Sequence, residues 1–272
     1  MKKLSSFIIL TIIVIALSTG LAMSVFAHSI EAALTVPARL STPPQHTPLT
    51  TPHGTRTPQP SATANATARA TASATPIVMN AILAQDTFQR ADQIFWGIAS
   101  DGQTWGGDAA TVNAFTMGGQ TGQIAHGKGS FNATLGPIIS DAEIAFSGSM
   151  NQFQQSNFGA VLRWRDPHNW YKAYIDGTNL VILKNLAAMG TRLGAVPFPA
   201  MANVNYTLRF QVIGTTLSAK VWQTGQTEPA GWQLHVTDTS LQNGYGGLRV
   251  VLDSGASAKF IAFKETTVMN TA

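Results

Sequence analysis

The chain has 272 residues, a formal net charge of +4 and no cysteine, so disulfides, thiol catalysis and cysteine-ligated metals are excluded. The charge is unevenly placed: Lys2, Lys3, Arg39, Arg56 and Arg69 precede residue 77 against the single acid Glu31, leaving twelve bases and twelve acids in 77–272. A neutral body gains little from releasing counterions off a phosphate backbone, so nucleic acid is not expected as a partner.

Residues 1–27 open on Met1, Lys2 and Lys3, run apolar from Phe7 to Leu17 and close on Val25, Phe26 and Ala27, the three-part pattern of a secretory signal peptide. Val25 and Ala27 occupy the places a signal peptidase reads, so cleavage is expected before His28, with a later site near Ala33 as the alternative, and Ser18, Thr19 and Gly20 break the apolar run in favour of cleavage. The competing reading is an uncleaved anchor, since Phe7 to Ala27 approaches the roughly 20 apolar residues that span a bilayer. In that case this segment alone would meet the membrane. Residues 28–76 are rich in Thr, Pro, Ala and Ser, with Pro43, Pro44, Pro48, Pro52, Pro58 and Pro60 opposing regular structure. A disordered stalk is predicted there, extended at about 3.1 Å per residue where proline dominates. The expected location is secreted or cell-surface.

Residues 77–272 change to short alternating segments separated by Gly, Asp and Asn, which predicts an all-β domain. Asp141, Glu143 and Ser147 alternate with Ala142, Ile144 and Phe146. Asp176 and Gly177 mark a turn between Trp170 to Ile175 and Leu180 to Lys184. Leu208, Phe210 and Val212 share one face of a strand that Gly214 and Thr215 turn into a second, with Leu217, Ala219 and Val221 inward and Ser218 and Lys220 outward. A dozen or so such strands exceed one twisted open sheet and predict two antiparallel sheets packed as a jelly-roll sandwich. Its first strand, near Asp86 to Arg90, should pair with its last, near Lys259 to Glu265.

Several segments carry a more specific likeness: Asp86-Thr87-Phe88-Gln89-Arg90, Trp96-Gly97 and Gly102-Gln103-Thr104-Trp105 at the entry, and Lys220-Val221-Trp222, Glu228-Pro229, Trp232 to Asp238 and Gly244 to Arg249 later. Together they resemble laminin-G-like domains of the concanavalin A-like lectin/glucanase superfamily over residues 85–268. The resemblance implies a concanavalin A-like jelly roll appended to exported bacterial proteins, sometimes with a structural calcium ion. Such modules commonly end in a Phe-Asp pair that supplies a calcium ligand, whereas Phe260 is followed here by Ile261 and Ala262. Asp86 remains as a weak calcium candidate, and no other metal or cofactor is expected.

Catalytic sets are incomplete in the sequence. The glucanases of that superfamily carry Glu-Ile-Asp-x-x-Glu on one strand, and the matching window here reads Asp141-Ala142-Glu143-Ile144-Ala145-Phe146, without its third acid. A solvated outer strand face is the expected role of Asp141 and Glu143. No Gly-x-Ser-x-Gly elbow occurs, and His126, His168 and His235 lack metal-ligand spacing. The most suggestive cluster is Arg163, Arg165, Trp170, Lys172 and Tyr174, which alternation brings to one wet sheet surface around a turn, with aromatic planes for sugar stacking and planar donors for hydroxyl or carboxylate. The same alternation fits cross-strand aromatic pairs covered by Arg and Lys stems. Trp96, Trp105, Trp222 and Trp232 read as core or as platform. The expected function is a non-catalytic binding module for carbohydrate or a cell-envelope polymer. The alternatives are a glycoside-active enzyme of the same fold and an adhesion module that binds protein.

Overall fold

The computed structural model describes residues 80–268. The expected leader and stalk, together with residues 77–79 and 269–272 of the expected domain, lie outside the described residues. In chain order the strands are β1 (Ile82–Asp86), β2 (Gln93–Ile94), β3 (Gly106–Gly107), β4 (Phe115–Gly118), β5 (Thr121–Ile124), β6 (Gly129–Ile139), β7 (Ala142–Met150) and β8 (Asn157–Asp166). They continue as β9 (Asn169–Ile175), β10 (Asn179–Leu186), β11 (Met189–Pro197), β12 (Tyr206–Ile213), β13 (Thr216–Gln223), β14 (Leu234–Thr237), β15 (Gly244–Leu252) and β16 (Ala258–Thr267). Apart from one 3-10 turn at Asp108–Ala110, the regular structure is all β, and no described helix is long and apolar enough to cross a membrane.

Two antiparallel sheets form a jelly-roll sandwich. One has nine strands in the order β14-β13-β12-β7-β16-β5-β4-β2, with β1 also joined to β16; the other has seven in the order β11-β10-β9-β8-β15-β6-β3. The expected pairing of first and last strands is present, shifted upstream: β1 begins at Ile82, and Asp86 ends it opposite Phe263. One side of β16 pairs with β7 from Ala258 to Thr267. Its other side pairs first with β5, over Ala258 to Phe260, and then with β1, over Phe263 to Thr266.

Alternation fills the interior as the sequence predicts. Leu208, Phe210 and Val212 of β12 and Leu217, Ala219 and Val221 of β13 are buried in the core shared by both sheets. Their hairpin pairs Leu208 with Val221 and Phe210 with Ala219. Asp176 builds the β9–β10 turn, its Oδ1 accepting from the backbone amides of Thr178 and Asn179 at 2.9 and 2.8 Å. Trp96 and Trp105 belong to the core, not to a platform. They meet edge-to-face at 4.9 Å between centroids within a group that includes Phe88, Phe115, Phe260 and Phe263.

Candidate functional site

A polar concavity of about 350 Å³ lies on the outside of the nine-stranded sheet. Alternation turns Thr207 and Arg209 of β12 away from Leu208 and Phe210, and on β7 Ala145, opposite Arg209, and Glu143, opposite Gln211, face the same way. Lys264 and Thr266 of β16 form one wall, and half-buried Trp222 of β13 the other. Glu228, from the loop after β13, closes that side.

Arg209 organises the cavity. Its Nε donates to Glu143 Oε1 at 2.7 Å, Nη2 makes a second bond to the same oxygen, and Nη1 donates to Glu228 Oε1 at 2.6 Å. Gln211 Nε2 donates to the other Glu143 oxygen at 3.0 Å. Lys220 pairs with Glu228 at 2.5 Å and lies 5.0 Å from the centroid of the Trp232 ring. Burial opposes ionisation of Glu228, but hydrogen bonds from Lys220 and Arg209 prevail and hold its pKa below the ordinary 4.5. Burial likewise opposes the charge of Arg209, and Glu143 and Glu228 outweigh it, raising the pKa. The result is a guanidinium fixed by two carboxylates beside an indole and the hydroxyls of Thr207 and Thr266, a rigid polar floor with one apolar plane.

The expected solvated face of Asp141 and Glu143 is corrected in two ways. Glu143 is buried beneath Arg209, and Asp141 precedes β7, its Oδ1 accepting from Arg163 Nη2 at 3.1 Å and from the amide of Gly214 at 2.9 Å. Ser218 and Lys220, expected outward in water, do face outward but are buried by neighbouring side chains: Ser218 bonds His235 at 3.0 Å.

The five-residue cluster around the β8–β9 turn is divided. A bulge between Leu162 and Asp166 places Arg163 at a φ of 51° and sends its side chain toward the end of the sandwich. There its nitrogens donate to the carbonyls of Ser140, Leu241 and Gly214 at 2.6 to 2.8 Å. It is a buried clamp rather than a member of a wet surface. Exposed Arg165 rests on Asn243. Trp170, Lys172 and Tyr174 do share the outer face of the seven-stranded sheet, and the bulge adds Trp164, stacked on Trp170 at 6.4 Å and 9°. Trp170 is 4 % and Lys172 2 % exposed, so only Tyr174 of the three offers appreciable surface. Arg249 covers Trp170 at 4.5 Å from the ring centroid, and Lys172 bonds Asn157 and lies 4.8 Å from the Tyr174 centroid. Burial, with Arg249 adding repulsion, pushes the Lys172 pKa well below 10.5.

Asp86, the calcium candidate, has its carboxylate occupied by protein donors. It receives Arg90 Nη1 at 2.8 and 3.0 Å, Trp105 Nε1 at 2.6 Å and the amides of Phe88 and Ser100. Four donors on one buried carboxylate do not fit calcium, which needs six to eight oxygens around it. Among the described residues no group of three His, Asp or Glu is arranged to hold a metal.

Sequence reasoning missed Arg209, Lys264, Thr207 and Thr266 as a site. The signal for the β12 pair is present in the alternation that buries Leu208 and Phe210. That β7 lies beside β12, and β16 beyond β7, is not legible, because both come from distant parts of the chain.

No protein-family model matches the chain, and no curated protein matches it. Solved structures do. Xylan β-1,4-xylosidase from Bacillus halodurans C-125 is 13% identical with a TM-score of 0.51, over 67% of this chain and 38% of that one. The chain therefore spans about two fifths of the xylosidase's length. The carbohydrate binding module CBM66 from Bacillus subtilis is 16% identical with a TM-score of 0.46, over 61% of this chain and 92% of that one. The Ca2+-bound exoplasmic/lumenal domain of VIP36 is 12% identical with a TM-score of 0.47, over 69% and 93%. At these identities the likeness is one of fold alone, an antiparallel β-sandwich.

Proposed function

We propose that the chain is an extracytoplasmic, non-catalytic module of the laminin-G-like kind, exported by residues 1–27, carried on the stalk of 28–76, and binding carbohydrate or a cell-envelope polymer in the groove of the nine-stranded sheet. One observation carries the reading: half-buried Trp222 stands in a polar cavity whose guanidinium, Arg209, is already immobilised by Glu143 and Glu228. A sugar ring offers an apolar face to an indole and hydroxyls to fixed polar groups, and a preformed site spares the cost of ordering side chains on binding. The two carboxylates favour binding over glycoside cleavage, because both are engaged by Arg209 rather than facing each other across a gap.

A glycan array followed by calorimetry tests this. Trp222→Ala is expected to weaken the best ligand by about two- to tenfold, the effect of removing one aromatic stacking plane, and Tyr174→Ala to leave it unchanged. Weakening by Tyr174→Ala with retention in Trp222→Ala would move the site to the other sheet. Absence of binding to any glycan would overturn the reading.

A further inference from the structure

The outer face of the nine-stranded sheet extends beyond the Trp222 cavity, and its charge is unbalanced. Among the residues that β7, β12, β13 and β16 turn outward, Glu143 is the only acid, against Arg209, Lys220, Lys259 and Lys264. Glu143, and Glu228 and Asp253 at the two ends of the face, are each taken by Arg209, Lys220 or Lys128. Lys259 and Lys264 are exposed and form no ion pair with a described acid.

Their placement depends on a bulge. Five positions separate the two lysines, an odd spacing that would put them on opposite faces of a regular strand. The register of β16 against β7 slips between Phe260 and Ala262, so Phe260 and Phe263 both enter the core while Lys259 and Lys264 both point out. Lysine often guards an open sheet edge against pairing, but β16 is an interior strand, flanked by β7 on one side and by β5 and β1 on the other, so that role is absent. Lys259 stands opposite Ser149 and Lys264 opposite Ala145, four residues apart on β7, or about 13 Å along the strand. Ser147 lies between them. Lys264 lines the Trp222 cavity, and Lys259 borders two further cavities of about 620 and about 240 Å³.

We propose that this face binds a polyanionic polysaccharide, with acidic groups on separate sugar units meeting Lys259 and Lys264 of β16 while one sugar ring enters the cavity that Lys264 shares with Trp222. This rests on the carbohydrate reading above and specifies its ligand class. A neutral glycan would leave the two free cations without a counterpart.

Calorimetric titration of the full chain with polygalacturonate, a linear uronate polymer, and with a neutral xylan separates the two claims. The Lys259→Ala/Lys264→Ala double variant is expected to lose about tenfold or more in polygalacturonate affinity, two exposed ion pairs' worth. Added salt should weaken the wild type in the same direction. Arg192→Ala, which removes one charge from the seven-stranded sheet, should leave affinity unchanged. Equal weakening in Arg192→Ala, or none in the lysine double variant, would overturn the proposal. Binding of xylan but not polygalacturonate would overturn it while leaving the carbohydrate reading intact. Failure of both polymers to bind would count against both.

Discussion

Glu265 is an acid placed where water does not reach. It faces the interior from β16, opposite Ala84 of β1 and Ile144 of β7, and its head fills the side-chain space of Gly136 and Gly246 on the other sheet. A Cβ at Gly136 would lie 2.6 Å from Oε2, so glycine is required for the two sheets to close over the carboxyl. Neither oxygen has a hydrogen-bond partner among the described residues, and burial pushes its pKa up from 4.5 to about 8. Between those values the folded protein keeps a proton that the unfolded chain releases, so stability falls as pH rises, by about 1.4 kcal/mol per pH unit. Urea denaturation at pH 5 and pH 8.5 should show this decline in the wild type and little of it in Glu265→Gln. An equal slope in both would disprove it. Asp86 is the opposite case, a buried acid with every oxygen used. Asp86→Ala leaves Arg90 Nη1 and the Trp105 indole without their acceptor and should cost about 3 to 5 kcal/mol, the range for breaking a buried pair from one side. A change below about 1 kcal/mol in chemical denaturation would contradict that accounting.

Bulges decide which faces carry function. Ile261 is the residue of β16 that the slip leaves without a partner on β7, so deleting it would restore regular alternation with Phe260 and Phe263 both still inward and Lys259 and Lys264 both still outward, and cooperative thermal unfolding should survive the deletion. Ile261→Ser keeps the extra residue and should stay within about 1 kcal/mol of wild type, as expected for a partly exposed position outside the core. The same device explains what the sequence can and cannot disclose. Strands such as β12 and β13, which run without interruption, are legible down to each inward residue. Strict alternation puts Arg163 on a wet face beside Arg165, whereas the bulge in β8 turns it into the clamp at the sandwich end and brings Trp164 onto Trp170. Lys259 and Lys264 are likewise invisible as a pair. For Glu143, Ser218 and Lys220 the alternation gives the right direction and the wrong exposure. Long side chains from neighbouring strands cover them, and strand neighbours as far apart in the chain as Glu143 and Arg209 are not written in local pattern.

At the scale of the molecule, one contiguous core of described residues joins both sheets. A fragment beginning at Asn80 should therefore unfold in one cooperative transition, and calorimetry showing two separate transitions would contradict this. The order of strands adds a temporal constraint. β16, the last strand in the described chain, occupies the middle of the nine-stranded sheet and is the shared neighbour of β1, β5 and β7. Until residues near Thr267 have been synthesised, β1 has no partner and β5 and β7 each lack one of their two, so a nascent chain carries a gap at its centre. Such long-range closure slows folding. Under the export proposed above, that delay would let the polypeptide reach a narrow translocation channel before it locks into shape.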